Sequence, residues 1–523
     1  MTGNAFVPRR RALLLGLGAL PLAGCRPGAD AAALVPGDDG QTLRLVGPWE
    51  ITGLDPSRAG YLFSRTEISE TLVEVDDQGH YVAGLASDWQ VSPDRLNWRF
   101  HLRPGARFHD GSPVTPAAVR QALEFARGKP GGLGMVPIDR IVAGDVAVDI
   151  RLRQIFEPLP AVLAHSSTQI LAPDSYGASG SVRRIIGSGP YKLTLLEAPQ
   201  RFVAELSETW DGPAPAVRRL HYLAVGRGES RALMAENGQA DIVYGLDPAS
   251  WQRLRGNPRL QVNAVHLPRT IYLKLNAGHP LLAHRDAREA ISLALDRAGI
   301  ARAVLRDEAA AAGQLLPPVL SDWHDPALMP LATDPVRAGE LLDGLGWHKA
   351  ADGIRRDGQG ERLALKLQTF PDRPELPVVA AAVQEQMRQL GVAVEVAIGN
   401  SSDVPAGHRN GTLQMALGAR GYATIPDPSV TLLQDFAAAG SDWGAMGWSD
   451  PALVAALTSL QGPTDEAARI AARRQVAAIL QAELPVIPIA WNRLVAAVQP
   501  RITGFSLDPL ERSYRISRMR WQS

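Results

Sequence analysis

The stretch Gly84-Leu-Ala-Ser-Asp-Trp-Gln-Val-Ser-Pro-Asp-Arg-Leu-Asn-Trp-Arg-Phe-His-Leu-Arg-Pro-Gly-Ala-Arg-Phe-His-Asp-Gly-Ser-Pro-Val-Thr-Pro-Ala-Ala-Val119 decides how this 523-residue chain is read. Within it Leu96, Trp98, Phe100 and Leu102 alternate with polar residues, so they share one face of a strand and half-bury it. A hairpin follows from that alternation, with Gly105 and Gly111 supplying the turns. Phe108 is an inward anchor. Thr115 is an N-cap and Pro116 the first residue of a helix, whose inner face is Ala118, Ala122, Leu123 and Phe125. These residues build a scaffold and by themselves bind nothing.

Outward from that stretch, the sequence continues as α/β. Thr42-Leu-Arg-Leu-Val46 alternates like a strand. Downstream, Leu363-Ala-Leu-Lys-Leu367 is a strand, Leu376, Val379, Val383, Met387 and Leu390 recur at helical spacing, and Gly391 stops the helix. Val392–Ile398 is the next strand, so the order predicts a right-handed crossover and a parallel pair. Asp334-Pro335 caps another helix that ends near Gly346. With 46% hydrophobic residues the chain can bury a large core, in two or three domains with mixed sheets. The 54 basic and 54 acidic residues cancel, which argues against nucleic acid as a partner.

At the N-terminus, Arg9-Arg10-Arg11, the apolar run Ala12–Ala23 and Gly24-Cys25 have the three parts of a secretory signal. The run is shorter than the roughly 20 residues that span a bilayer. Leu22-Ala23-Gly24-Cys25 resembles the bacterial lipobox, which implies a signal peptide over 1–25 and a lipid on Cys25, the single cysteine of the chain. The arginines are similar to a twin-arginine signal, and an ordinary Sec signal is the alternative. With Cys25 acylated, no thiol is left for a disulfide or for redox chemistry. Residues 26–41, rich in Ala, Gly, Pro and Asp, read as a flexible tether.

The quoted stretch also resembles the signature of the family 5 extracellular solute-binding proteins, which serve ABC importers of peptides, nickel and related solutes. Further elements follow in the family's order: Gly187-Ser-Gly-Pro-Tyr191, Glu208-Thr-Trp-Asp-Gly212, Gly238-Gln-Ala-Asp-Ile242, Arg285 to Arg297, Leu316-Pro-Pro318, Leu484-Pro-Val-Ile-Pro-Ile489 and Ile502-Thr-Gly-Phe505. The resemblance implies a two-lobed periplasmic-binding-protein clamp, type II-like, of the cluster with an extra N-terminal subdomain. Lobe I would comprise residues 42–268 with 490–523, its extra subdomain about 61–184, and lobe II residues 270–489. Crossings near Leu267–Thr270 and Ile489–Arg493 would form the hinge. The implied partners are ABC permease and ATPase subunits and a small solute, a peptide or peptide-like molecule first and a nickel chelate as the alternative, with no cofactor.

The resemblance also places the ligand-facing loop at Gly418–Pro428. Peptide binders of the family commonly carry an Asp there that pairs with the peptide amine; this chain has Thr424 instead, so that charge-assisted bond is missing from its usual place. Tyr422 could stack on a ligand or pack within the loop. Arg420 could offer its fork to a carboxylate or stay in a bridge. From lobe I, Tyr61, Phe63 and Arg65 precede an element that lines the cleft in relatives. The 11 histidines are scattered, and His279 and His284 have neither the spacing nor the acidic company of a metal site. The rival class, an exported hydrolase, lacks a G-x-S-x-G elbow, an H-E-x-x-H and a P-loop, so no catalytic residue is expected.

Overall fold

In the computed structural model, the described residues are 41–522 apart from 77–78, 130, 372 and 438–439. The expected signal peptide, Cys25 and the tether up to residue 40 lie outside them. The signature forms the hairpin that its alternation predicts. Strands Ala86–Val91 and Asn97–Leu102 pair antiparallel and continue through Ala147–Leu152 to Ile138–Ala143 as a four-stranded sheet. Trp98, Phe100 and Phe108 are buried in its core, and Leu102 is half-buried. Helix Pro116–Arg127 starts where Thr115 accepts the Ala118 N–H at 3.2 Å, and buries Ala118, Ala122 and Leu123 on that core. Phe125 is half-buried, tilted against Tyr176.

The rest of the molecule hangs on one ten-stranded mixed sheet. Its spatial order is Ala393–Ile398, Ala364–Thr369, Met415–Gly421, Gln261–Leu275, Val486–Val498, Ile242–Tyr244, Thr42–Gly47, Arg219–Ala224, Arg201–Leu206 and Tyr191–Glu197. Helix Glu375–Leu390 buries the five apolar residues read from its period and ends on Gly391, whose φ of 96° is the left-handed cap that favours glycine. It joins Ala364–Thr369 to Ala393–Ile398, which pair in parallel. The crossover unit is therefore as the sequence predicts.

Two core clusters sit at opposite ends of this sheet. One contains Leu273, Leu367, Met387 and Ile487, the other Leu43, Phe202, Tyr222 and Ile516. Only two strands are long enough to serve both: Gln261–Leu275 and Val486–Val498, which pair antiparallel along most of their length. Their register breaks between His266 and Thr270, opposite Arg493 and Trp491. A local irregularity bends and twists a ladder, and this one lies between Leu267 of one core and Ile271 of the other. Beside it the Arg493 guanidinium lies 3.7 Å from the Trp251 ring centroid and 2.9 Å from Asp307.

Several motifs turn out to be structural joints. Buried Asp241 accepts the Arg44 N–H at 2.8 Å, the Arg44 guanidinium at 3.0 Å and the Arg501 guanidinium at 2.9 Å, which ties three distant strands together. Arg288 donates to the Glu483 carbonyl and Arg297 to the Pro488 carbonyl, which seats the long strand from outside. Gly187 and Gly189 have no room for a side chain: a Cβ would fall 2.0 Å and 2.2 Å from the carbonyl oxygens of Ile68 and Glu67.

Candidate ligand-binding cleft

At the bend of the two long strands the lobes enclose a cavity of about 750 Å³. The first lobe contributes Trp49, Tyr61 and the tail residue Glu511; the second contributes Phe370, Arg373, Arg420, Thr424 and Trp443; Arg269 and Asn492 come from the strands between. Farther from the bend the lobes also touch. Ile425 of the second lobe is packed into the core of the four-stranded subdomain, and the Glu157 N–H donates to the Gln461 carbonyl at 2.8 Å. The lobes therefore touch beyond the cavity as well as at the bend.

The electrostatics centre on Glu511. Its carboxylate pairs with Arg269 and lies 4.0 Å from Arg65, and Arg373 adds its field. Burial alone would raise this carboxyl, yet the three guanidinium groups hold it down at about 2. Burial, with Arg373 and Arg65 nearby, lowers Arg269 to about 10. Arg65 is also stacked, 4.8 Å from the Tyr61 ring centroid and 5.2 Å from that of Trp49. Among the described residues the Arg373 side chain has no hydrogen-bond or ion-pair partner, and it lines the cavity. Three cations thus surround one anion. A further cation, buried Arg231, is satisfied only by the carbonyls of Tyr244, Val225, Gly226 and Gly245. The cleft therefore carries an excess of positive charge in a partly desolvated space, where an anionic group gains most.

Trp443 forms the apolar wall with Phe370, edge to face at 5.8 Å. Its loop is pinned from beneath. The Tyr272 hydroxyl donates to the Trp443 carbonyl at 2.5 Å, and Lys274 Nζ donates to the carbonyls of Asp442 at 3.0 Å and Gly444 at 2.5 Å. Burial pushes Lys274 down to about 7 against the pull of Asp435 and Asp442.

The sequence-derived residues divide. Tyr61, Arg65 and Thr424 line the cleft or the chamber next to it. Phe63 does not: it is fully buried, tilted against Phe202 at 5.9 Å, because its short helix Tyr61–Arg65 turns that side into the first core. Tyr422 is also buried, 1% exposed among Tyr272, Leu432 and Phe436, since its N–H binds the Pro268 carbonyl and turns the ring inward. Arg420 reaches the cleft wall, but its fork is taken by Asp435, with both nitrogens at 2.7 Å. Arg269, Arg373 and Glu511 escaped the sequence reading. Arg269 falls within the crossing expected at Leu267–Thr270 and Arg373 just ahead of a recognised helix, whereas nothing local marks Glu511. Among the described residues no group of three or more His, Cys, Asp or Glu is placed to hold a metal ion.

The comparisons agree with this architecture. The nickel-binding periplasmic protein of Escherichia coli (strain K12) is 24% identical over 493 residues, covering 90% of this chain and 94% of that protein. The glutathione-binding protein GsiB of Escherichia coli O1:K1 / APEC is 24% identical over 483 residues, covering 88% and 90%. The crystal structure of NikA from Brucella suis in complex with Fe(III)-EDTA superposes with a TM-score of 0.82 at 24% identity, over 92% of this chain and all of that one. The model of the bacterial extracellular solute-binding proteins, family 5 Middle, matches residues 80–442. With its two lobes, its bent pair of connecting strands and a cleft between them, the chain belongs to the family 5 extracellular solute-binding proteins, non-enzymatic receptors that work with ABC importers outside the cytoplasm.

Proposed function

We propose that this protein captures a small carboxylate-bearing solute, peptide-like in the first instance, between its lobes and presents it to the permease of an ABC importer. The observation that carries this reading is the Arg65–Arg269–Arg373 group around the single carboxylate of Glu511. A guanidinium fork suits a carboxylate, and Arg373 still has its donors to give. Because Arg373 belongs to the second lobe and lines the cleft together with Trp49 and Tyr61 of the first, a carboxylate held there favours closure, which is the differential affinity that a clamp needs. The division at Leu267–Thr270 and Ile489–Arg493 is the hinge in this reading, supported by the register break between His266 and Thr270.

A metal chelate is the second reading. It brings its own metal ligands, needs only its carboxylates recognised by the same arginines, and accords with the nickel-binding relative. The protein is also proposed to be tethered by a lipid on Cys25, for which the lipobox is the support; among the described residues no helix is long and apolar enough to cross a membrane.

The test is titration calorimetry with tetra-alanine, tetra-alanine amide, glutathione and the nickel–histidine complex, on the parent protein and on Arg373→Gln. Free-acid ligands are expected to bind, with Arg373→Gln weakening them about tenfold or more. Equal affinity for acid and amide would overturn the reading.

A further inference from the structure

The cleft does not end at its aromatic wall. Tyr61, Thr424 and Glu511 line it on one side and on the other line a second chamber of about 590 Å³ within the first lobe. We propose that this chamber is a subsite for the amine end of the same solute, with Glu74 as the residue that receives the ammonium group. The proposal rests on the carboxylate reading above and gives the solute a polarity: acid among the arginines, amine beyond Thr424.

Glu74 stands apart from Glu67, Glu70 and Asp508 of the chamber wall. Glu70 accepts both forks of Arg103, at 3.1 Å and 3.3 Å. Glu67 accepts the Ser517 N–H at 2.8 Å, the Ser517 hydroxyl at 3.1 Å and the Ser513 hydroxyl at 3.3 Å. Asp508 accepts the N–H groups of Leu510 at 2.9 Å, Arg512 at 3.0 Å and Ser513 at 3.2 Å. Among the described residues the Glu74 side chain has one hydrogen bond, from the Thr71 hydroxyl at 3.0 Å. Its other oxygen lies 3.6 Å from Arg512, too far for a hydrogen bond, and the Arg512 Nη2 is spent on the Val75 carbonyl at 2.7 Å. The side chain stays 43% accessible, within the cavity wall. It sits on strand Val73–Val75, paired to Tyr81–Ala83, so its position is set by a ladder.

The chamber also disfavours a carboxylate whose counter-charge, Arg512, stands off at 3.6 Å. Burial raises the Glu74 carboxyl to about 7 against the pull of Arg512 and Thr71, and Glu70 and Asp508 add to the rise. An ammonium group supplies the donors that Arg512, at 3.6 Å, does not. The main cleft offers the amine little by comparison. Glu511 is held by arginines, Glu375 accepts from Asn492 at 3.2 Å, Glu50 is exposed at the rim, and Thr424 is neutral.

The experiment compares tetra-alanine, its N-acetyl derivative and its C-terminal amide by calorimetry on the purified protein and on Glu74→Gln. The parent is expected to bind tetra-alanine about tenfold more tightly than the N-acetyl form. Glu74→Gln should bring the two together while leaving the N-acetyl affinity unchanged. Capture of an ammonium group should also release protons near pH 7, read from the buffer dependence of the binding heat, and Glu74→Gln should abolish that release. N-acetyl and free-amine forms bound equally by the parent, with the amide rejected, would overturn the amine subsite and leave the carboxylate reading intact. An amide bound as well as the acid would overturn the carboxylate reading itself, and no binding of any of the three would overturn both.

Discussion

Replacing Arg420 by methionine separates two roles for that residue, structural joint and solute fork. Asp435 is 1% exposed and receives three hydrogen bonds: Arg420 Nε and Nη2, both at 2.7 Å, and the Ser441 hydroxyl at 2.5 Å. Arg420→Met removes two of these and leaves a buried carboxylate with only a hydroxyl. Breaking one side of a buried pair costs about 3–5 kcal/mol. Because the Arg420 side chain is 23% exposed, water can reach part of the vacated site, which places the expected loss near the lower end, about 3 kcal/mol. For a folding unit the size of the second lobe this corresponds to a Tm lower by about 6–12 °C. The double variant Arg420→Met/Asp435→Asn carries no uncompensated charge, so most of the loss should return, with about 1 kcal/mol remaining. Urea and thermal unfolding, followed by tryptophan fluorescence and circular dichroism, measure both. A single variant within about 0.5 kcal/mol of the parent, or a double variant no better than the single, would refute the reasoning. If Arg420→Met lost solute affinity at unchanged stability, the fork would belong to the ligand.

Acid should destabilise the protein through its buried histidines. Burial lowers His109 and His221 to about 4. The unfolded chain therefore binds more protons between about pH 6.5 and 4, and stability falls as pH drops through that window, by on the order of 3 kcal/mol for each histidine. His221→Gln should flatten the fall in a pH series of denaturation midpoints, and an unchanged slope would discount the histidine. Among the glycines, Gly187→Ala drives a Cβ to within 2.0 Å of the Ile68 carbonyl, whereas the Cβ of Gly105→Ala meets nothing within 4 Å and has only its φ of +80° to strain. Losses of about 3 kcal/mol or more for the first and about 1 kcal/mol for the second are expected in Tm and soluble yield; equal losses would contradict the packing argument. Trp251→Ala removes the ring over which Arg493 lies at the bend, an interaction worth about 1–2 kcal/mol. Small-angle scattering of the solute-free variant should show a more open average, and an unchanged profile would mean that the contact does not bias the hinge.

What was legible in the sequence was whatever a short window carries. The alternation around Trp98 and Phe100, the Thr115 cap and the helix ending on Gly391 all appear where the pattern puts them, because each is decided by neighbours a few residues away. The site was legible only in part. Thr424, Tyr61 and Arg65 reach the cavities, but Phe63 and Tyr422 belong to cores, and periodicity in a five-residue helix or a loop cannot assign their faces. Arg420 was visible as a fork, while its partner Asp435 lies 15 residues on, across a loop and a helix turn. Arg269 and Glu511 are 242 residues apart, and no local pattern announces that they meet.

That separation has a consequence for how the chain is made. The first lobe is unfinished until residues 486–517 have been made. Ile242–Tyr244 waits for its antiparallel neighbour Val486–Val498, Tyr244 for the ring of Tyr514 stacked 4.5 Å away, and Glu67 for Ser517. Contacts this distant are slow to form, since a long loop must close before they repay anything. Until those last residues emerge, the N-terminal half lacks the strand and the rings that complete its core. Residues 511–517 are thus a keystone: the short segment that delivers Glu511 to the arginines also completes the core of the first lobe.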